Sequence, residues 1–221
     1  MRLLRGKGQR DDRVVYLVAS RVLEYPNPAL LQSLPQLRQA LGEQSHGRGD
    51  LLLGVLDHLA GRDLEELRQT YVDTFDLSRK HALYLSYWTD GDTRRRGEVL
   101  GQFKSVYRRS GFLVDTHGEL PDYLPMVLEF AAIADPIAGR ELLSSYRASL
   151  ELLRIALLEH ASPYADAVAS VCATLPGKSP QSRAEVMAMA GLDGPPGVEP
   201  VGLAPYGRTE LPLHAVAGGS R

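Results

Sequence analysis

The chain has 221 residues, of which 44% are hydrophobic and 24% are charged, a composition typical of a globular protein. Its net charge of −2 at pH 7 argues against a nucleic-acid-binding protein, because such proteins are usually basic over a whole face or domain. A single cysteine, Cys172, excludes both an intrachain disulfide framework and a metal site built from several thiolates.

The first residues, MRLLRGKGQRDDR, are charged and interrupted by glycine, and no apolar core of a signal peptide follows them. The chain also contains no run of about 18 apolar residues, the length that a membrane-spanning helix needs. The single cysteine fits a reducing cytoplasm, although many periplasmic proteins also lack disulfides. The lack of a long apolar run predicts a protein without stable membrane insertion. We assign residues 1–11 to a flexible N-terminus.

Apolar residues at helical spacing dominate the sequence after this terminus. Pro28, Asp63 and Ser162 favour helix starts, and Pro26 favours a helix end. In chain order, the predicted helices cover residues 13–25, 28–41, 51–60, 64–76, 93–110, 121–134, 141–160 and 163–175. Residues 77–80 break the periodicity, and residues 81–88 are too short and aromatic for periodicity to separate a helical turn from an extended segment.

Three consecutive arginines, Arg94, Arg95 and Arg96, stand in the first turn of a predicted helix. A cation there costs about 0.3–1 kcal/mol when it is exposed, because the N-terminal end of the helix dipole is positive. One interpretation is a solvated basic turn that neighbouring acids offset. We favour the other, in which one arginine pairs with an acid elsewhere, and Asp76 is the expected partner.

The stretch HGELPDYLPMVLEF, residues 117–130, places two acids beside an aromatic residue. Glu119 and Asp122 are expected in the first turn of a helix, where the dipole favours carboxylates, so helix capping alone could explain them. They would also place carboxylates beside Tyr123 at the surface. Carboxylates that border an apolar groove suit a basic amphipathic peptide helix.

The composition changes after Pro176. A weak helical segment, SRAEVMAMAG, is followed by a Gly- and Pro-rich sequence without any period, which predicts a disordered or extended tail. No convincing pair of strands is found. The sequence therefore predicts an all-α fold: a single helical bundle over residues 12–176, and residues 177–221 as a weak helix and a disordered tail.

Motifs for catalysis or metal binding are missing from the sequence. Gly177-Lys178-Ser179 resembles the end of a phosphate-binding loop, but Cys172 stands where that loop needs glycine. The six histidines show no paired spacing for a metal. Cys172 is expected to be a small buried hydrophobic residue. The sequence therefore gives little support for an enzyme, and we expect no catalytic residues, no cofactor and no metal.

Three segments in this order, YVDTFD, GDTRRRG and ELPDYLPMVLEF, resemble the NarJ group of assembly chaperones. These are the delta subunits of respiratory nitrate reductase, within the TorD-like family of redox-enzyme maturation factors. Matching residues are Tyr71, Val72, Thr74, Phe75 and Asp76, then Gly91, Asp92, Arg94, Arg96 and Gly97, then Glu119, Leu120, Pro121, Asp122, Leu124, Pro125, Leu128 and Glu129. One departure is Tyr123, where a histidine is common in the family, so a role that needs an imidazole there is not expected.

The resemblance implies a helical bundle of the TorD-like type and a system-specific cytoplasmic chaperone, expected to be a monomer. Such a protein binds the apo catalytic, molybdenum-containing alpha subunit of nitrate reductase, including its N-terminal segment. It holds this client for molybdenum-cofactor and iron–sulfur insertion before membrane docking. The expected client-binding residues are Tyr84, Tyr87, Trp88, Arg94, Arg96, Glu119, Asp122, Tyr123 and Glu129. The expected structural residues are Tyr71, Phe75, Asp76, Gly91, Asp92, Gly97, Pro121, Leu124 and Pro125.

Three alternatives remain open at this point. The chain could carry the molybdenum cofactor directly, with the helix N-terminus at residues 92–96 accepting its phosphate. It could be a helical DNA-binding regulator that uses the arginines at 94–96 and 108–109, although the acidic pI weighs against nucleic acid. It could also be an interaction module unrelated to nitrate respiration.

Overall fold

A computed structural model describes residues 7–44, 47, 49–90, 94–112 and 118–191. Its α-helices are α1 (Lys7–Val22), α2 (Pro28–Gly42), α3 (Asp50–Ala60), α4 (Leu64–Tyr71), α5 (Tyr87–Asp90), α6 (Arg94–Arg109), α7 (Leu124–Glu129), α8 (Pro136–Ser145), α9 (Arg147–Glu159), α10 (Ala165–Thr174) and α11 (Arg183–Met189). No strand is found within these ranges, and the predicted all-α fold is confirmed. Helix α1 starts inside the terminus that was expected to be flexible, and the predicted tail after 191 lies outside the described residues.

Side-chain caps explain several of the helix starts. The side chain of Asn27 accepts a hydrogen bond from the backbone N–H of Leu30 at the start of α2, where proline occupies the first turn. The side chain of Asp63 accepts from the N–H groups of Glu65 and Glu66, so its predicted role as the N-cap of α4 is confirmed. Asp135 caps α8 in the same way.

Helix α1 lies in the centre of the bundle and contacts α2, α3, α7 and α10. Its residues Val18 and Val22 are fully buried, as are Leu150 and Leu157 on α9, which packs along α10. Fully burying an aliphatic side chain of this size stabilises a fold by about 1.5–3 kcal/mol. The apolar stripes read from the sequence therefore form the core of the protein.

Two predicted helices differ from the structure. The helix expected over 141–160 is two helices, α8 and α9, which meet at Tyr146, whose ring stacks on Phe103 at 4.9 Å. No glycine or proline marks this break in the sequence. The helix expected from Pro121 begins only at Leu124, so Glu119 and Asp122 precede it and do not belong to its first turn.

Both α4 and α7 end in a π-helical turn, at Val72–Asp76 and Phe130–Ala134. Such turns insert one residue per turn and often lie at functional sites. The first of them carries residues 72–76 of the YVDTFD motif, and its Phe75 and Asp76 line a surface groove. It therefore places the first family-like motif beside the site described next.

Candidate functional site

A surface groove of about 540 Å³ lies where the three sequence motifs meet. Five tyrosines line it, and we call it the tyrosine groove. Its lining residues are Tyr25, Tyr71, Phe75, Asp76, Ser78, Arg79, Ala82, Leu83, Tyr84, Tyr87, Arg96, Glu119, Leu120 and Tyr123. Residues from positions as far apart as 25 and 123 thus form one surface.

One wall of the groove is built by two short segments that run antiparallel to each other. The N–H of Leu124 donates to the carbonyl of Leu83 at 2.7 Å, and the N–H of Leu85 donates to the carbonyl of Asp122 at 3.1 Å. Tyr84 and Tyr123 form an isolated bridge between these bonds, with ring centroids 5.6 Å apart. The segment whose structure periodicity left undecided is therefore extended here and becomes helical only at Tyr87.

Asp122 fixes this wall from the inside. Its side chain is fully buried, and its Oδ2 accepts hydrogen bonds from the N–H of Ser86 at 3.0 Å and from the Ser86 hydroxyl at 2.6 Å. The guanidinium of Arg96 lies 3.9 Å from the same oxygen. The expectation that Asp122 is a surface carboxylate is wrong, because its charge is used to hold two segments together.

Arg96 connects this buried carboxylate to the groove. Its Nε donates to the hydroxyl of Ser86 at 3.3 Å, and its guanidinium carbon lies 5.8 Å and 5.9 Å from the ring centres of Tyr84 and Tyr87. Each such cation–π contact contributes about 0.5–1 kcal/mol when exposed and about 2 kcal/mol when desolvated. An arginine of the RRR run does pair with an acid, which is the interpretation favoured from the sequence.

The acid that meets Arg96 is nevertheless not the expected one. Asp76 forms no ion pair within the described part of the chain, and Asp122 takes that role for Arg96. The physical reason is that the extended wall brings Asp122 under the first turn of α6, whereas Asp76 faces the open groove. The side chain of Arg94 is outside the described residues, and its predicted role stays a prediction.

The tyrosine hydroxyls form a hydrogen-bonded rim. The hydroxyl of Tyr71 donates to the carbonyl of Leu23 at 3.1 Å, so the Tyr123 hydroxyl, 3.2 Å away, donates to Tyr71. The hydroxyl of Tyr84 donates to Oε2 of Glu119 at 2.6 Å. Burial raises the pKa of Tyr123 to about 12 and also raises the pKa values of Tyr71 and Tyr84, so these phenols stay protonated even above their ordinary pKa of 10.

Tyr25 also lines the groove, although no role was predicted for it. Its ring meets Tyr71 edge-on at 5.4 Å, and Arg68 lies over it at 5.8 Å while donating to the carbonyl of Pro26. The sequence contained a weak signal, since an aromatic residue directly before a helix-ending proline is held in an extended conformation.

Two further predicted client-binding residues, Trp88 and Glu129, do not line the groove. Trp88 is half-buried, and its indole N–H donates to the carbonyl of Ala82 at 3.0 Å. The carboxylate of Glu129 pairs with Arg21 on α1. Tyr84, Tyr87, Arg96, Glu119 and Tyr123 are the predicted client-binding residues that line the groove.

The predicted structural residues have mixed positions. Leu124 and Pro125 are buried, and the carbonyl of the buried Pro121 accepts a hydrogen bond from the Tyr107 hydroxyl at 2.6 Å. Tyr71, Phe75 and Asp76 line the groove, and Gly97 lies within α6. Gly91 and Asp92 lie outside the described residues.

The described residues give little support for a metal site, a reactive cysteine or a membrane-spanning helix. No group of three or more His, Cys, Asp or Glu side chains there could hold a metal ion. Cys172 is buried as predicted, and its burial raises the pKa of its thiol, which suppresses the reactive thiolate. None of the helices in these ranges is both long enough and apolar enough to cross a membrane.

Comparison with known proteins places these observations in a family. The family model described as nitrate reductase delta subunit matches residues 27–170. The chain is 45% identical over 161 residues to the nitrate reductase-like protein NarX of Mycobacterium tuberculosis, which covers 73% of this chain but 24% of NarX. The chain thus spans about a quarter of that relative.

Two further relatives are closer to this chain in length. The probable nitrate reductase molybdenum cofactor assembly chaperone NarJ of Bacillus subtilis is 34% identical over 166 residues, covering 75% of this chain and 90% of NarJ. The nitrate reductase molybdenum cofactor assembly chaperone NarJ of Escherichia coli is 30% identical over 158 residues, covering 67% of this chain and 64% of that protein.

Proposed function

Because the chain belongs to the nitrate reductase delta subunit family, we propose that it is an assembly chaperone for a respiratory nitrate reductase. In this proposal it binds the apo catalytic subunit in the cytoplasm, including the N-terminal segment of that subunit. It then holds the client while the molybdenum cofactor and an iron–sulfur cluster are inserted, before membrane docking. The family and the chaperone names of its relatives support this non-catalytic role.

The observation that carries the proposal is the tyrosine groove. It combines aromatic faces with hydroxyl groups and carboxylates, which suits a peptide that presents both apolar and polar side chains. An α-helix with its side chains is about 10–12 Å across, so a groove of this size would take the side chains of one helix face. Tyrosine rims supply large contact areas at a low cost in side-chain entropy.

The groove is lined by two acids, Asp76 and Glu119, and two bases, Arg79 and Arg96, and the two acids suit a basic side chain of the client segment. Asp76 lies beside the rings of Tyr71 and Tyr123 and forms no ion pair within the described residues, and Glu119 is exposed near Tyr84. A lysine or arginine of the client could approach a carboxylate and an aromatic face together. Asp76 is therefore the residue from which we expect the largest electrostatic contribution to client binding.

Calorimetry with a synthetic peptide of the nitrate reductase catalytic subunit's N-terminus tests this proposal. We expect binding at micromolar concentrations and an increase in peptide helicity by circular dichroism. In Asp76→Asn the affinity should fall about tenfold, which corresponds to about 1.4 kcal/mol for a charge-assisted contact. The affinity should also become less sensitive to salt.

Asp73→Asn is the matched control, since Asp73 lies on the same π-helical turn, is exposed, and accepts a hydrogen bond from Gln69 instead of lining the groove. It should leave the affinity unchanged. Equal losses in both variants would show that the effect comes from net charge, not from the groove. A wild-type protein that gives no heat and no helicity change with the peptide would contradict the proposed function.

An assay for bound pterin addresses the alternative of a cofactor carrier. Purified protein that retains a pterin absorbance would favour direct contact with the molybdenum cofactor. Protein that binds the peptide without retaining pterin would favour client binding alone.

A further inference from the structure

The chain continues beyond the region that the family model matches, and this continuation packs behind the tyrosine groove. Residues 177–180 run along α9, where two arginines hold their backbone. Nη2 of Arg147 donates to the carbonyls of Gly177 at 3.2 Å and Lys178 at 3.1 Å. Nη2 of Arg154 donates to the carbonyl of Pro180.

A buried carboxylate fixes these arginines. Glu151 is fully buried between them, and its oxygens accept from Nε of Arg154 at 2.7 Å and lie 3.5 Å from Nη2 of Arg147. A buried carboxylate is tolerated only when it is paired and hydrogen-bonded. The three charges therefore form a rigid unit on α9 that anchors the segment leading to α11.

Helix α11 then closes a small apolar cluster. Val186 is fully buried against Leu152 and Ile155 of α9. At its ends, the side chain of Ser182 caps the helix and Arg183 pairs with Glu159 at 2.8 Å. The third side of this cluster is formed by Trp88.

Trp88 connects the cluster to the groove through two contacts. Its indole N–H donates to the carbonyl of Ala82, a groove residue, at 3.0 Å. Its ring meets the ring of Tyr87 edge-on at 6.3 Å, and Tyr87 lines the groove beside Arg96. Trp88 thus contacts both the apolar cluster of Leu152, Ile155 and Val186 and two residues of the groove.

We propose that α11 is a positioning element for the tyrosine groove and that it acts through Trp88. Helix α5, which carries Tyr87 and Trp88, has four residues, and a helix this short is not stable without tertiary packing. Its position is therefore set by the surfaces against which it packs, and the cluster closed by Val186 is one of them. This inference rests on the chaperone function proposed above, because client affinity is its functional readout.

The test is Val186→Ala, which removes two methyl groups from the cluster and leaves every groove residue in place. Trp88 is the single tryptophan, so its fluorescence reports on this position directly. We expect a shift of its emission, faster amide hydrogen exchange in residues 82–90, and a client-peptide affinity reduced about 2- to 30-fold, the range found for coupled residues. All three are measured well below the melting temperature. There, a lower global stability alone leaves the protein folded and its peptide affinity unchanged.

Met189→Ala on the same helix is the control, since this side chain is 43% exposed and lies outside the cluster. It should match the wild-type protein in all three measurements. If Val186→Ala does not fold by circular dichroism, Ile155→Val removes one methyl from the same cluster and carries the same expectation. An unchanged peptide affinity in a folded cluster variant overturns the inference. A wild-type protein that binds no peptide overturns the chaperone proposal first, and this inference with it.

Discussion

Two fully buried carboxylates, Glu151 and Asp122, stabilise different parts of this protein in different ways. Glu151 is paired with arginines four residues before it and three residues after it on α9. Asp122 is bonded to Ser86, which lies 36 residues earlier, and to Arg96 at the longer distance of 3.9 Å. One oxygen of Asp122 has no hydrogen-bond partner in the described residues.

The difference separates a local charge cluster from a long-range one. The partners of Glu151 are in place as soon as α9 is helical, because residues three and four apart share one face. The partners of Asp122 meet it only after the two groove-wall segments have paired. The groove wall therefore depends on polar contacts between distant segments, whereas Glu151 finds its charged partners within a single helix.

Replacing Glu151 should have the largest effect on stability. Glu151→Gln leaves the side chains of Arg147 and Arg154, which are 11% and 10% exposed, without a carboxylate. We expect the free energy of unfolding to fall by about 3–5 kcal/mol, the cost of breaking a buried ion pair. Urea unfolding followed by circular dichroism measures this value. Glu159→Gln, at an exposed pair on the same helix, should cost less than about 1 kcal/mol.

The same amide substitution at the groove wall should cost less. Asp122→Asn retains an acceptor for Ser86 and removes only the charge that faces Arg96, so we expect a loss of about 1.5–3 kcal/mol. The peptide affinity should also fall, since Arg96 would lose one of the contacts that hold it beside the Tyr84 and Tyr87 rings. A larger loss in Asp122→Asn than in Glu151→Gln would reverse the comparison and identify the groove wall as the more important of the two.

A change of pH should have the smallest effect on the free energy of unfolding. It tests the groove side of the comparison, because His81 lies beside the groove wall. Burial lowers the pKa of His81, whose Nδ1 lies 2.9 Å from the carbonyl of Thr74 and whose ring packs on His160; Lys80 and Glu159 are the nearby charges. The folded state disfavours protonated His81, so neutral His81 contributes to the free energy of unfolding. This contribution is fully present above 6.5, the pKa of His81 in the unfolded chain, and is lost as the pH falls through the lower pKa of the folded state. Urea unfolding between pH 7 and pH 5 should show this decline in the wild-type protein and a flatter profile in His81→Gln. Equal slopes in both would exclude His81 as its source.

Some features of the fold were determined by the sequence alone. The helix starts at Pro28 and Asp63, the buried Cys172 and the short helix near residue 186 all follow from periodicity and capping. These signals are local, since a cap or an apolar stripe involves residues no more than about four apart. The family resemblance was also recognisable, because each of its motifs is a continuous stretch of sequence.

Only the tertiary structure decided the site. It placed Asp122, and not Asp76, beneath Arg96, and it placed Trp88 behind the groove instead of inside it. It also added Tyr25, which lies 46 residues before Tyr71 in the chain and meets it edge-on. Which acid meets which base depends on how segments tens of residues apart pair and pack, and neither helical period nor residue type encodes that pairing.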